Sequence, residues 1–183
     1  NLEWSKPASD SPEDIEAAAR HDAIYNRFFL GGLFHGGYPE KALEGIGPHL
    51  PEGWQDDFAL IQTPLDWIGV NYYTRKRLRA VDGPWPAYAD AGTVLPTTQM
   101  GWEIYPDGLR DFLLRVAREY SGDLPIHVTE NGMANADMPD RPDTERIAYL
   151  ESHLDAVRQA IAAGAPVEWK VTTRVGSIGS GCA

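Results

Sequence analysis

Leu65-Asp66-Trp67-Ile68-Gly69-Val70-Asn71-Tyr72-Tyr73 and Leu124-Pro125-Ile126-His127-Val128-Thr129 bracket the segment that decides the fold. Each is a short, nearly continuous apolar run, the pattern of a strand covered on both faces in a parallel sheet. Between them, Leu109, Phe112, Leu113, Val116, Ala117 and Tyr120 recur on one helical face, and Ser121-Gly122-Asp123 stops the pattern. Strand, helix, strand in that order makes two parallel strands joined by a crossover helix. The sequence therefore predicts parallel strands near 66–72 and 125–130 with a helix at 106–120.

Working outward, Ser11-Pro12-Glu13-Asp14 is a helix start. The serine can accept a backbone N–H, proline suits the first turn, and the acids complement the helix dipole. This helix is predicted over 12–30, ended by Gly31-Gly32, with Glu13, Asp14 and Glu16 on a solvated first turn. Residues 31–57 hold seven glycines and three prolines and read as a long connection, as does the Pro- and Gly-rich stretch 82–98. A last helix is predicted over 144–163, with Ile147, Leu150, Leu154, Val157 and Ile161 on its apolar face and Gly164 at its close. Val167 opens a further strand, and another short strand is expected at the amino-terminal end. The fold class is α/β. An eight-stranded barrel needs about 250 residues and an open doubly wound sheet five or six strands, so the chain reads as a slice of such a domain.

Composition narrows the partners. Of 183 residues, 43% are hydrophobic and 23% charged, ordinary globular proportions. Sixteen basic against 27 acidic residues leave a charge of −11, which argues against a nucleic-acid partner. No apolar run approaches the ~18 residues that span a bilayer, so no membrane partner is expected. Cys182 is a lone cysteine, and His21, His35, His49, His127 and His153 lack metal-ligand spacing; no metal is expected. No phosphate-cradling glycine loop follows a strand, and no cofactor is expected. The chain opens at Asn1, its methionines are Met100, Met133 and Met138, and no charged-then-apolar leader is readable. A partial segment of a cytoplasmic protein is the expectation. The sequence is silent on oligomeric state.

The candidate site is Thr129-Glu130-Asn131-Gly132, where a short strand gives way to a glycine-containing loop. In a parallel barrel the loops at the carboxyl ends of the strands build the active face. Asn71-Tyr72-Tyr73 ends the preceding strand in the same way. On spacing alone, a turn-capping role for Glu130 and a backbone-satisfying role for Asn71 are the simpler reading.

Ile126-His127-Val128-Thr129-Glu130-Asn131-Gly132 resembles the nucleophile motif of the family 1 glycoside hydrolases, the β-glucosidase family. Other segments resemble the family in the same order. Pro7 to Asp14 resembles the stretch after the fifth barrel strand. Phe28-Phe29-Leu30, Leu33-Phe34 and Gly37-Tyr38-Pro39 resemble the helix and turn that follow. Leu65 to Tyr73 resembles the sixth strand, and Met100-Gly101-Trp102-Glu103-Ile104-Tyr105-Pro106 the approach to the sixth helix. The resemblance covers about residues 1–167. It implies a partial TIM (β/α)8 barrel and retaining hydrolysis of small β-glucosides or oligosaccharides, which needs two carboxyl groups about 5–5.5 Å apart. It implies that Glu130 is the nucleophile, that Tyr73 and Asn71 contact its carboxylate, and that Trp102 lines the aglycone side. For Trp102, plain core packing is the alternative.

The departures from the family pattern are as informative. The family's acid/base sits in a Thr-x-Asn-Glu-Pro motif, and no Asn-Glu-Pro occurs here. The first-strand Gln, the His-Trp pair and the eighth-strand Trp that grip the sugar are also missing. After Ala165-Pro166-Val167 the likeness stops, and 168–183 is expected to be a divergent, disordered tail. Glu168-Trp169 there could be the family's later Glu-Trp pair, brought forward by an internal deletion. A non-catalytic remnant that at most binds sugar or a partner chain is the alternative to an enzyme.

Overall fold

A computed structural model describes residues 2–136 and 142–168; the expected tail beyond Glu168 lies outside them. Four strands run parallel in the order β1 (Leu2–Pro7), β2 (Ile68–Ala80), β4 (Ile126–Glu130), β5 (Val167–Glu168). A short β3 (Tyr88–Asp90) pairs antiparallel with the far end of β2, so the loop predicted at 82–98 contains a strand. Helices fill every crossover: α1 (Pro12–Asp22), α2 (Phe28–His35), α3 (Glu40–Ile46) and α4 (Phe58–Ile61) between β1 and β2, α5 (Pro106–Val116) before β4, and α6 (Thr144–Ala162) before β5. The strands curl into half of a (β/α)8 barrel. No helix among the described residues is long and apolar enough to cross a membrane.

Local chemistry explains most element ends. Ser11 caps α1 by accepting the Asp14 N–H at 3.2 Å, with Pro12 in the first turn. Asp14 is not simply solvated. It accepts the Ala80 N–H at the end of β2 (2.8 Å) and the Ser9 hydroxyl (2.6 Å), which hold its carboxyl below the usual range, while Glu16 pairs with Lys41.

The first helix differs from expectation at its far end. A π-helical turn at Ala23–Arg27 joins α1 to α2, and Gly31-Gly32 lies inside α2. A side chain at Gly31 would sit 2.7 Å from the Gly37 carbonyl, so the glycine serves a close approach and not a stop. The helix ends at Gly36, in the left-handed region at φ 63°. The connection at 31–57 is correspondingly part helix.

β2 is longer than predicted, and it is not covered on both faces. Ile68, Val70, Tyr72, Thr74 and Leu78 are buried, whereas Asn71 and Tyr73 between them are only half-buried. The buried face meets Leu109, Phe112, Leu113 and Val116 of α5, together with Ile126, Val128, Val157 and Ala160, in one core. α5 matches its predicted face, continued by a π-helical turn to Ser121. α6 matches only in part: Val157 is buried and Ile161 packs against the core, but Tyr149, His153, Ala156 and Ala160 also face inward, while Ile147 and Leu154 are exposed. α6 packs mostly against α5.

Candidate active site

The half-buried face of β2 and the end of β4 meet at a β-bulge. Val70 pairs with Val128, but Asn71 pairs with Glu130, so Thr129 is the extra residue. Strict alternation from Ile126 and Val128 would send Glu130 into the core beneath the helices. The bulge reverses that phase. Glu130 thereby joins Asn71 and Tyr73 on the open face, and Asn131 turns inward, 7% exposed.

The side chains then lock together. The Tyr73 hydroxyl donates to Glu130 Oε2 at 2.5 Å, and the Thr129 hydroxyl donates to Asn71 Oδ1 at 2.5 Å. A phenol on a carboxylate is a charge-assisted hydrogen bond, stronger and shorter than a neutral one. Such a bond holds one carboxylate oxygen in place. Behind it, the Asn131 amide donates to the Tyr72 carbonyl at 2.8 Å.

Trp102 stands against Tyr73, ring centroids 5.6 Å apart at 52°. It is 38% exposed. Its loop turns at Gly101, with Thr98 N–H donating to the Trp102 carbonyl at 2.8 Å. The next residue, Glu103, is the anchor. Only 3% exposed, it pairs with Arg75 of β2 at 2.5 Å and accepts the backbone N–H groups of Val94 and Leu95. Burial raises the Glu103 carboxyl, but the Arg75 guanidinium and those two N–H groups outweigh it and hold the group below its ordinary value. Gln99 N–H also donates to the Ala134 carbonyl, tying the Trp102 loop to the one after Glu130.

Glu130, Asn71, Tyr73 and Trp102 are thus brought to one strand-end face. His127 stacks on Trp67, ring centroids 4.9 Å apart. Sequence reasoning placed Thr129 and Asn131 in the candidate segment without giving them roles, and it did not pick out Arg75, Glu103 or Tyr149. Glu103 adjoins Trp102, and no local pattern marked Arg75 or Tyr149. Beside the site, an open groove of about 1010 Å³, lined by Tyr25, Phe29, Leu33 and Trp67, reaches Asn71 and Thr129.

Comparison with known proteins agrees with this geometry. Beta-glucosidase A of Thermotoga maritima is 36% identical over 175 residues, covering 92% of this chain and 39% of that protein. The 6-phospho-beta-galactosidase of Streptococcus mutans is 33% identical, over 87% of this chain and 41% of its own. Among solved structures, the T. maritima family 1 β-glucosidase in complex with isofagomine lactam superposes with a TM-score of 0.86 at 34% identity, covering 94% of this chain and 39% of that one. The β-glucosidase of Exiguobacterium antarcticum gives 0.85 at 31% identity, over 94% and 40%. The chain therefore spans about two-fifths of the length of these relatives. The family model for glycosyl hydrolase family 1 matches residues 1–172. With that match running through nearly the whole chain, the chain belongs to glycosyl hydrolase family 1.

Proposed function

We propose that this chain carries the nucleophile side of a retaining β-glycosidase site acting on small β-glucosides or oligosaccharides. One observation carries the reading: the Glu130 carboxylate is held by the Tyr73 hydroxyl at the carboxyl ends of adjacent parallel strands. In the reaction a Glu130 oxygen bonds to the anomeric carbon as the glycosidic C–O bond breaks, and the leaving oxygen takes a proton from a second carboxyl group. Water then cleaves the glycosyl–enzyme ester from the same face, so configuration is retained. Tyr73 and Asn71 orient the attacking oxygen, and Trp102 offers a flat wall to an aglycone ring. The absent Asn-Glu-Pro motif implies that the proton donor is not in this sequence. That absence also favours a second reading, a non-catalytic remnant.

A dinitrophenyl β-glucoside separates the readings, because its leaving group needs little protonation. Alone, the chain is expected to show no burst of dinitrophenolate, because the first-strand Gln, the His-Trp pair and the eighth-strand Trp that would grip the sugar are missing from it. Fused to the preceding strands of a family relative that carries Asn-Glu-Pro, it is expected to give a burst that Glu130→Gln abolishes. A folded fusion without a burst, or with one that survives Glu130→Gln, refutes the nucleophile assignment. A burst from the chain alone, lost in Glu130→Gln, refutes the dependence on the missing strands.

A further inference from the structure

The last β2–β4 ladder pair is Asn71 with Glu130. Tyr73 lies two residues beyond it, and from Tyr72 onward β2 pairs instead with β1. Backbone pairing therefore does not fix the Tyr73 ring relative to Glu130. Something else must, and the described residues contain it. Tyr149, on the second turn of α6, sends its hydroxyl to the two strand ends from behind the sheet. It donates to the Tyr73 carbonyl at 3.2 Å and accepts the Asn131 amide at 3.2 Å. The same Asn131 nitrogen donates to the Tyr72 carbonyl at 2.8 Å.

We propose that Tyr149 is the positioning residue of this site, which on the reading above is the nucleophile's: its hydroxyl clamps the segment carrying Glu130 to the segment carrying Tyr73 where the ladder has ended. The clamp is stiff. Tyr149 is 2% exposed, its ring lies 3.9 Å from His153 in a near-parallel stack, and the His153 Nδ1–H donates to the Tyr149 carbonyl at 2.8 Å. A buried hydroxyl that both donates and accepts has few alternative arrangements, since leaving either partner buried and unsatisfied is costly. Tyr149 never reaches the open face and so acts only through Asn131 and Tyr73.

The test reads the Tyr73–Glu130 hydrogen bond itself, so it stands apart from whether Glu130 attacks a sugar. In the purified chain labelled with ¹³C at tyrosine ζ, the Tyr73 signal is assigned by Tyr73→Phe and calibrated by Glu130→Gln, which removes the charged acceptor. Tyr149→Phe is expected to move the Tyr73 signal in the same direction by at least half of that calibration shift, leaving the Tyr105 signal in place. p-Aminophenylalanine at position 149, which restores a polar N–H, is expected to bring it back. A Tyr73 signal unmoved by Tyr149→Phe overturns the proposal, as does one unmoved by Glu130→Gln. If Tyr149→Phe does not fold, Asn131→Ser cuts the same link from the other strand, and an unmoved signal there overturns it equally. The burst experiment decides the nucleophile assignment separately.

Discussion

Glu103→Gln tests whether the wall of the site is built by one buried ion pair. The Arg75 and Glu103 side chains are 8% and 3% exposed, with Nε and Oε2 2.5 Å apart. Removing one partner of a buried pair costs about 3–5 kcal/mol, because the other is left charged and dry. Glutamine keeps a carbonyl for the Val94 and Leu95 N–H groups but turns donors toward Arg75, so the lower end, about 3 kcal/mol, is expected at pH 7. Each 1.36 kcal/mol is a factor of ten, so the folded-to-unfolded ratio falls by roughly 100-fold. Urea unfolding followed by tryptophan fluorescence and circular dichroism measures it. The pH dependence has a definite sign. Because the folded Glu103 carboxyl lies below its ordinary value, its stabilisation is full above about pH 4.3 and is lost as pH falls through the folded value. The gap between the native chain and Glu103→Gln should stay level from pH 6 to 8 and narrow only below about pH 4. Adding Arg75→Met to Glu103→Gln should recover most of the loss, since exchanging a whole buried pair for apolar volume is often neutral. A gap under about 1 kcal/mol at pH 7, or one that widens in acid, would refute the reasoning.

Two more outcomes follow from buried groups. Burial pushes His153 down to about 4, so the native ring refuses a proton that the unfolded chain takes up. Stability should fall between about pH 6.5 and pH 4, by up to about 3 kcal/mol, and His153→Gln should flatten that slope in urea unfolding across the range. Gly108→Ala should destabilise, although alanine is the better helix former by about 1 kcal/mol. Its Cβ would lie 2.1 Å from the Tyr72 hydroxyl, which donates to the Tyr105 carbonyl at 2.8 Å. A net cost of about 2 kcal/mol, read as a melting point lowered by about 4–8 °C, is expected; an unchanged or raised melting point would show that Tyr72 yields.

Much of this architecture was legible in local pattern. Two apolar runs flanking an amphipathic helix determined parallel strands, and β2 and β4 are parallel. Ser11-Pro12 determined where α1 begins, and the heptad-like run from Leu109 determined which face α5 buries. Those signals depend on residues two to four positions apart, which any window of sequence contains. The motif also placed Glu130 at a strand end.

Only the tertiary structure decided which way Glu130 points. Alternation along 126–130 aims it at the core; the bulge at Thr129 exists because Asn71, 58 positions away, accepts the Thr129 hydroxyl and pairs with Glu130 across the ladder. Remote partners likewise decided that Gly31-Gly32 stays helical beneath Gly37, that Glu103 is buried against Arg75, and that α6 turns Tyr149 and His153 inward instead of Ile147 and Leu154. Periodicity reports which residues share a face. It cannot report which face another element covers, and on that choice the candidate site rests.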